Sequence, residues 1–91
     1  MKVVKTNNQF IAYIDDNKAG LIEVVPISET AITLAHTEVG DDFRGMRVGQ
    51  TILEYIIDYA RDNSIKLMPL CPFTKAQMDK HPEFHDVLYE S

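Results

Sequence analysis

Between residues 9 and 39 apolar and polar positions alternate, in short β-rich runs separated by turn residues. "QFIAYID" and "LIEVVPI" flank the polar "DNKAG", where Asn17 and Gly20 are available for positive φ, and this predicts a hairpin. A short "SET" link leads to "AITLAHTEV", a third strand expected to run antiparallel to the second. Strict alternation there puts Ile32, Leu34, His36 and Glu38 on one face, and Ala31, Thr33, Ala35, Thr37 and Val39 on the other. Pro26 predicts a bulge or a weakened end to the second strand.

From about Arg47 to Asn63 the period changes to that of a helix. Val48, Ile52, Leu53, Ile56, Tyr59 and Ala60 form one stripe, while Glu54, Asp58, Arg61 and Asp62 face solvent. Asn63 is a candidate left-handed end. "IKLMPLC" then reads as a short buried strand that Pro69 interrupts, with Cys71 at its C-terminal end and Pro72 closing it. "FTKAQMDKH" has short helical character, and Pro82 suits the first position of a last turn, "PEFHDVLY". The order is β-β-β-α-β-α, an α/β (α+β) chain.

Composition narrows what such a chain does. Its 91 residues suffice for one domain, expected to span 1–91, because a chain this short cannot divide its core in two. Apolar runs fall far below the roughly 20 residues needed to cross a bilayer, and "MKVVKTNNQF" lacks the apolar stretch of a secretory signal. A soluble, cytoplasmic protein without membrane association is the default. One cysteine excludes an internal disulfide, and Cys71, His36, His81 and His85 have no paired zinc-ligand spacing, so no metal is expected. A net charge of −5 with nine Lys and Arg argues against a nucleic-acid platform. A small anion held by one local cluster is compatible with it.

That cluster is "RGMRVG", Arg44 to Gly49, between the third strand and the helix. A strand, a loop and a helix start in this order point the first, unpaired helix amides into a crevice, and the helix dipole favours an anion. Gly45 admits close backbone approach, Gly49 lets the first turn pack tightly, and Arg44 and Arg47 suit phosphate oxygens. The plainer alternative is that the glycines serve the turn and its packing while the arginines offset Asp41 and Asp42. Spacing alone does not separate the two.

"FRGMRVGQTILEYIIDYARDNSIK" resembles the acetyl-coenzyme A binding segment of the GNAT acetyltransferase superfamily, in which Gln or Arg is followed after two residues by Gly, one residue, and Gly or Ala. Arg44 matches the first position and Gly49 the last, while Arg47 stands where the family has glycine. "AHTEV", "LMPLCPF" and "KHPEFHDVL" are similar to the corresponding parts of compact GNAT-like proteins of this size. The resemblance covers about residues 9 to 89. It implies a truncated GNAT-like fold, mainly antiparallel, with a splayed parallel strand pair at the site and without the early helices of larger relatives. It also implies acetyl-coenzyme A as co-substrate, its pyrophosphate on Arg44, Gly45, Met46, Arg47, Val48, Gly49 and Gln50. Further contacts are expected from Thr37, Val39, Phe73 and His81.

The implied chemistry is N-acetylation of an amine, either a small molecule or a protein. Acyl transfer from a thioester needs a held and polarised carbonyl, a deprotonated nucleophile and a proton for the leaving thiolate. Cys71 is the candidate acyl-accepting nucleophile, and as a free cysteine its plainer role is a small buried hydrophobe. His36 and Glu38 are candidate bases, the plainer roles being an edge histidine and a solvated charge. The tyrosine that larger relatives place beyond the second splayed strand is represented only by Phe73, which has no hydroxyl. Without the early helices the acceptor side is open or completed by another copy in a homo-oligomer. A non-catalytic coenzyme A binding module and a purely structural interaction domain are the alternatives.

Overall fold

In a computed structural model, described over residues 1–89, the chain forms one five-stranded sheet of order β1-β2-β3-β4-β5. The strands are β1 (Lys2–Lys5), β2 (Gln9–Ile14), β3 (Asn17–Ser28), β4 (Ala31–Val39) and β5 (Lys66–Pro69). The first four are antiparallel neighbours, and β5 lies parallel to β4. The edge strand β1 adds to the expected order; its "KVVK" is too short to show a period of its own. The hairpin turn is also tighter than expected. Asp15 and Asp16 take positive φ (49° and 69°), a two-residue turn that twists with the strands, and Asn17 to Gly20 belong to β3. Gly20 therefore serves close approach: a Cβ there would lie 2.7 Å from the Glu38 carbonyl oxygen.

One irregularity decides what β4 displays. Glu23 pairs with His36 and Val24 with Leu34, which leaves Ala35 without a partner, a β-bulge. The bulge reverses the alternation. Ile32 and Leu34 face the core, but beyond the bulge it is Thr37 and Val39 that face the helix side, and His36 and Glu38 turn to the opposite face. The face shared by Leu34, His36 and Glu38 under strict alternation is thereby corrected. Pro26 sits at a second register shift, as expected from its missing amide.

A long helix, α1 (Val48–Asn63), packs against β2, β3 and β4. Its buried stripe also takes in Ile57, and Tyr59 is only partly buried. With Phe10, Ile22 and Leu34 it builds the core, each fully buried side chain contributing about 1.5–3 kcal/mol. The left-handed residue at the end is Ser64 (φ 55°), whose amide reaches Ala60 and Arg61 carbonyls, rather than Asn63. The strand β5 ends at Pro69, so Cys71 lies beyond it as the residue preceding α2 (Pro72–Lys80). The Pro82–Val87 stretch forms a 3-10 turn tied to α1 by Arg61, whose guanidinium grips Asp86 at 2.8 and 2.9 Å. The Arg61 hydrogen bonds hold the Asp86 carboxyl below its usual range. Among the described residues no helix is long and apolar enough to cross a membrane.

Candidate functional site

The sheet comes apart beside the bulge. The β4·β5 ladder stops at Leu34↔Pro69, and the Leu34 carbonyl takes the last two amides, from Leu70 and Cys71, each at 3.1 Å. Residues 36 to 39 keep β3 on one side, and among the described residues no strand lies on the other side of 35 to 39. A row of unpaired backbone donors and acceptors thus lines a gap, the structural form of the expected splay.

The gap leads to the start of α1. Gly40 and a 3-10 turn over Asp41–Phe43 carry the chain out of β4. Gly45 then takes φ 82°, a conformation that a glycine adopts without strain. Arg47 precedes the helix at φ 58° and ψ 33°, also left-handed. That is the physical reason glycine suits this position, and a non-glycine residue holds it at a cost of about 1–2 kcal/mol. The first hydrogen bond of the helix runs from the Thr51 amide to the Arg47 carbonyl at 2.9 Å. Among the described residues no side chain caps the amides of Val48, Gly49 and Gln50, and no acidic residue occupies the first turn. The positive end of the helix is left open to an anion.

A cavity of about 400 Å³ joins these parts. Thr37 and Val39 line it from β4, Arg44 and Gly45 from the turn, Arg47, Val48, Gly49 and Gln50 from α1, and Phe73 from α2. The Phe73 ring packs on Gly49 so tightly that a Cβ there would lie 2.9 Å from it. Phe43 lines the cavity too, and was missed; its signal was an apolar residue inside the polar "GDDFR" turn. Arg44 is held by Asp41 at 3.1 Å and Arg47 by Glu54 at 3.5 Å, both pairs exposed and therefore easily exchanged for another anion. Met46 does not line this cavity; its side chain is about half exposed. His81 lies in a neighbouring cavity of about 380 Å³ between α1 and α2, which shares Arg47 and Gln50 with the first.

Cys71 stands at the apex of the gap. Its Sγ lies 3.2 Å from Thr37 Oγ1, and only 7% of the residue is exposed. Burial pushes the thiol up, but the Thr37 hydroxyl and the Thr74 and Phe73 amides at the start of α2 outweigh it and hold the thiol below its ordinary value. Thr74, fully buried, donates to the Cys71 carbonyl at 3.0 Å and fixes the turn. His36 and Glu38 are not brought to Cys71. They pair with each other at 3.1 Å on the opposite sheet face, exposed by 54% and 62%. There they border a further cavity of about 600 Å³.

The sequence profile of the GCN5-related N-acetyl-transferase family matches residues 9–87. Among solved structures, the NMR solution structure of a GCN5-like protein from Staphylococcus aureus superposes with a TM-score of 0.78 at 25% identity, over 99% of this chain and 89% of that one. A GNAT family acetyltransferase from Elizabethkingia anophelis, solved with acetyl-CoA bound, gives 0.63 at 15% identity, over 84% of this chain and 51% of that one. Ribosomal-protein-alanine N-acetyltransferase from Brucella melitensis gives 0.59 at 20% identity, over 91% of this chain and 63% of that one. The last two likenesses concern the fold, and the chain spans only part of each. No curated protein matches the sequence.

Proposed function

The chain belongs to the GCN5-related N-acetyl-transferase family, and from that premise we propose that it transfers the acetyl group of acetyl-coenzyme A to an amine, with the thioester in the gap between β4 and β5. The family is one of acyltransferases, which supports an enzyme over a non-catalytic binding module. The observation that carries the assignment is the unpaired stretch of β4, residues 35 to 39, opening onto an uncapped helix start. The first offers peptide-like hydrogen bonds to the amide-bearing pantetheine arm. The second offers amide donors and two exchangeable arginines, Arg44 and Arg47, to the pyrophosphate. Both kinds of donor lie on one continuous cavity.

Cys71 is the acyl-accepting nucleophile in this mechanism. Its thiolate, favoured by Thr37 and the start of α2, attacks the thioester carbonyl. A new carbon–sulfur bond forms, the bond to coenzyme A breaks, and the departing thiolate takes a proton from solvent. The neutral amine then attacks the acetyl-cysteine: the carbon–nitrogen bond forms, the carbon–sulfur bond breaks, Cys71 leaves as its thiolate, and the surplus proton of the nitrogen passes to solvent. Intact-protein mass spectrometry after incubation with acetyl-coenzyme A tests this: an acetyl adduct on the wild type that is absent in Cys71→Ser supports the covalent route. Coenzyme A binding without any adduct, with turnover retained in Cys71→Ser, sinks it in favour of direct attack by the amine. A coenzyme A affinity unchanged by Arg44→Ala and Arg47→Ala would remove the pyrophosphate from this turn.

A further inference from the structure

We propose that Phe73 selects the acyl group, its ring forming the wall that admits acetyl and turns away longer chains, and that Gly49 lacks a side chain so that this ring can stand there. The proposal rests on the placement of acetyl-coenzyme A in the gap. With the pyrophosphate at the start of α1 and the arm along Val39 and Thr37, the acyl end arrives at the apex of the gap, beside Cys71. What surrounds that apex then fixes how large an acyl group can be.

Cys71, only 7% exposed, does not itself line the cavity of about 400 Å³ at the helix start. Two residues that do line it flank the thiol. Thr37 does so through its hydroxyl, 3.2 Å from Sγ, and Phe73 through its backbone amide, in the first turn of α2. The Phe73 ring then reaches across to the first turn of α1. An acyl carbon bound for the sulfur therefore passes between the Thr37 side chain and this ring, and the width of that passage depends on where the ring stands.

Gly49 is the reason the ring cannot retreat. A Cβ built there would lie 2.9 Å from Phe73 Cζ, 3.0 Å from Cε2 and 3.5 Å from Cε1, so the ring tip already fills the space of the missing side chain. That direction leads to Phe73 and not to the anion, which the backbone amides of the first turn would hold. Pressed from the α1 side, the ring has its free space in the cavity it lines. Pressed from the cavity by a longer acyl chain, it meets Gly49. Each methylene beyond acetyl must therefore displace packed atoms, and overpacking is costly even for one carbon.

The test uses the full chain carrying Cys71→Ser, which removes the thiol that would take up the acyl group, and measures the affinities of coenzyme A, acetyl-coenzyme A and butyryl-coenzyme A by calorimetry without any amine. Butyryl-coenzyme A should bind about tenfold or more weaker than acetyl-coenzyme A, the scale of extra methylenes in a fitted apolar pocket. Phe73→Leu, which keeps the wall apolar but shortens it, should bring the two within about twofold of each other. Gly49→Ala should widen the difference by pushing the ring into the cavity, and adding Phe73→Leu to it should close the difference again. The ratio of two ligands within one variant is the readout, because a folding defect weakens both alike, and alanine is the better helix former at position 49. Equal binding of acetyl and butyryl before Phe73 is changed, or a ratio that Phe73→Leu leaves in place, overturns the selection by Phe73 while coenzyme A binding still supports the cofactor placement. A Gly49→Ala effect that persists in the double variant overturns the seat for the ring and returns Gly49 to the pyrophosphate. No coenzyme A binding by the wild type would overturn the cofactor placement and this proposal together.

Discussion

The two halves of β4, residues 31 to 34 and residues 35 to 39, differ in almost everything except direction. Residues 31 to 34 have a hydrogen-bonded neighbour on each side, and Leu34 is fully buried. Residues 36 to 39 have, among the described residues, a strand on one side only, and His36 and Glu38 lie open to solvent. One unpaired residue, Ala35, separates the two regimes. The first half holds the molecule together, and the second leaves hydrogen-bonding capacity unspent beside a helix start and a thiol. A strand can therefore be scaffold and binding surface at once if its pairing is interrupted rather than its direction changed.

Mutations on either side of Ala35 should separate accordingly. The largest effect belongs to Leu34→Ala, which removes a fully buried side chain and should destabilise the fold by about 2–5 kcal/mol in urea unfolding. Thr37→Ala, three residues on, should stay within about 1 kcal/mol; a loss as large as that of Leu34 would erase the distinction. Next comes Arg44→Ala, expected to weaken coenzyme A binding about tenfold, or ~1.4 kcal/mol by calorimetry, with unfolding unaltered. A third measurement concerns protons. The folded thiol of Cys71 lies below its ordinary value, so its alkylation rate should climb at lower pH than that of the unfolded chain, and Thr37→Val should move that midpoint upward. The sign follows for stability: this contribution is fully present above the unfolded thiol pKa and is lost as pH falls through the folded one. An unmoved midpoint in Thr37→Val would disconnect the thiol from the gap. The smallest effect is expected of Arg47→Gly, which relieves a left-handed non-glycine residue and should leave stability unchanged or higher by about 0.5–1 kcal/mol, while coenzyme A binding falls.

Much of this architecture was legible in the chain. Period two marked β2, β3 and β4, period 3.6 marked α1, and the glycine and arginine spacing marked the turn where the cavity forms. What escaped depended on partners distant in sequence. β1 is a strand because Val4 faces Ile11 and Val3 faces Ala12, which four residues cannot announce alone. The bulge at Ala35 arises from register against Glu23 and Val24, and an alanine in a strand carries no signal of it. His36 and Glu38 were accordingly placed with Leu34. Cys71 was read as the end of a strand because Pro69 cannot be weighed without knowing that its partner is Leu34. The left-handed backbone at Arg47 was hidden behind a residue type that rarely adopts it, although the family's glycine there pointed to it.

The bulge carries a consequence for inheritance. Losing a single codon, that of Ala35, would set His36 directly after Leu34, each still opposite its present partner, Glu23 and Val24. Thr37 and Val39 would go on facing the helices, and His36 and Glu38 the outer face. Every side chain of the site would keep its side of the sheet, and only the bend and extra twist that the bulge gives the strand beside the gap would be lost. The change that would put them on the wrong side is a one-residue slip that paired Ala35 with Glu23, so lineages that keep this chemistry should tolerate losing Ala35 more readily than recruiting it into the ladder.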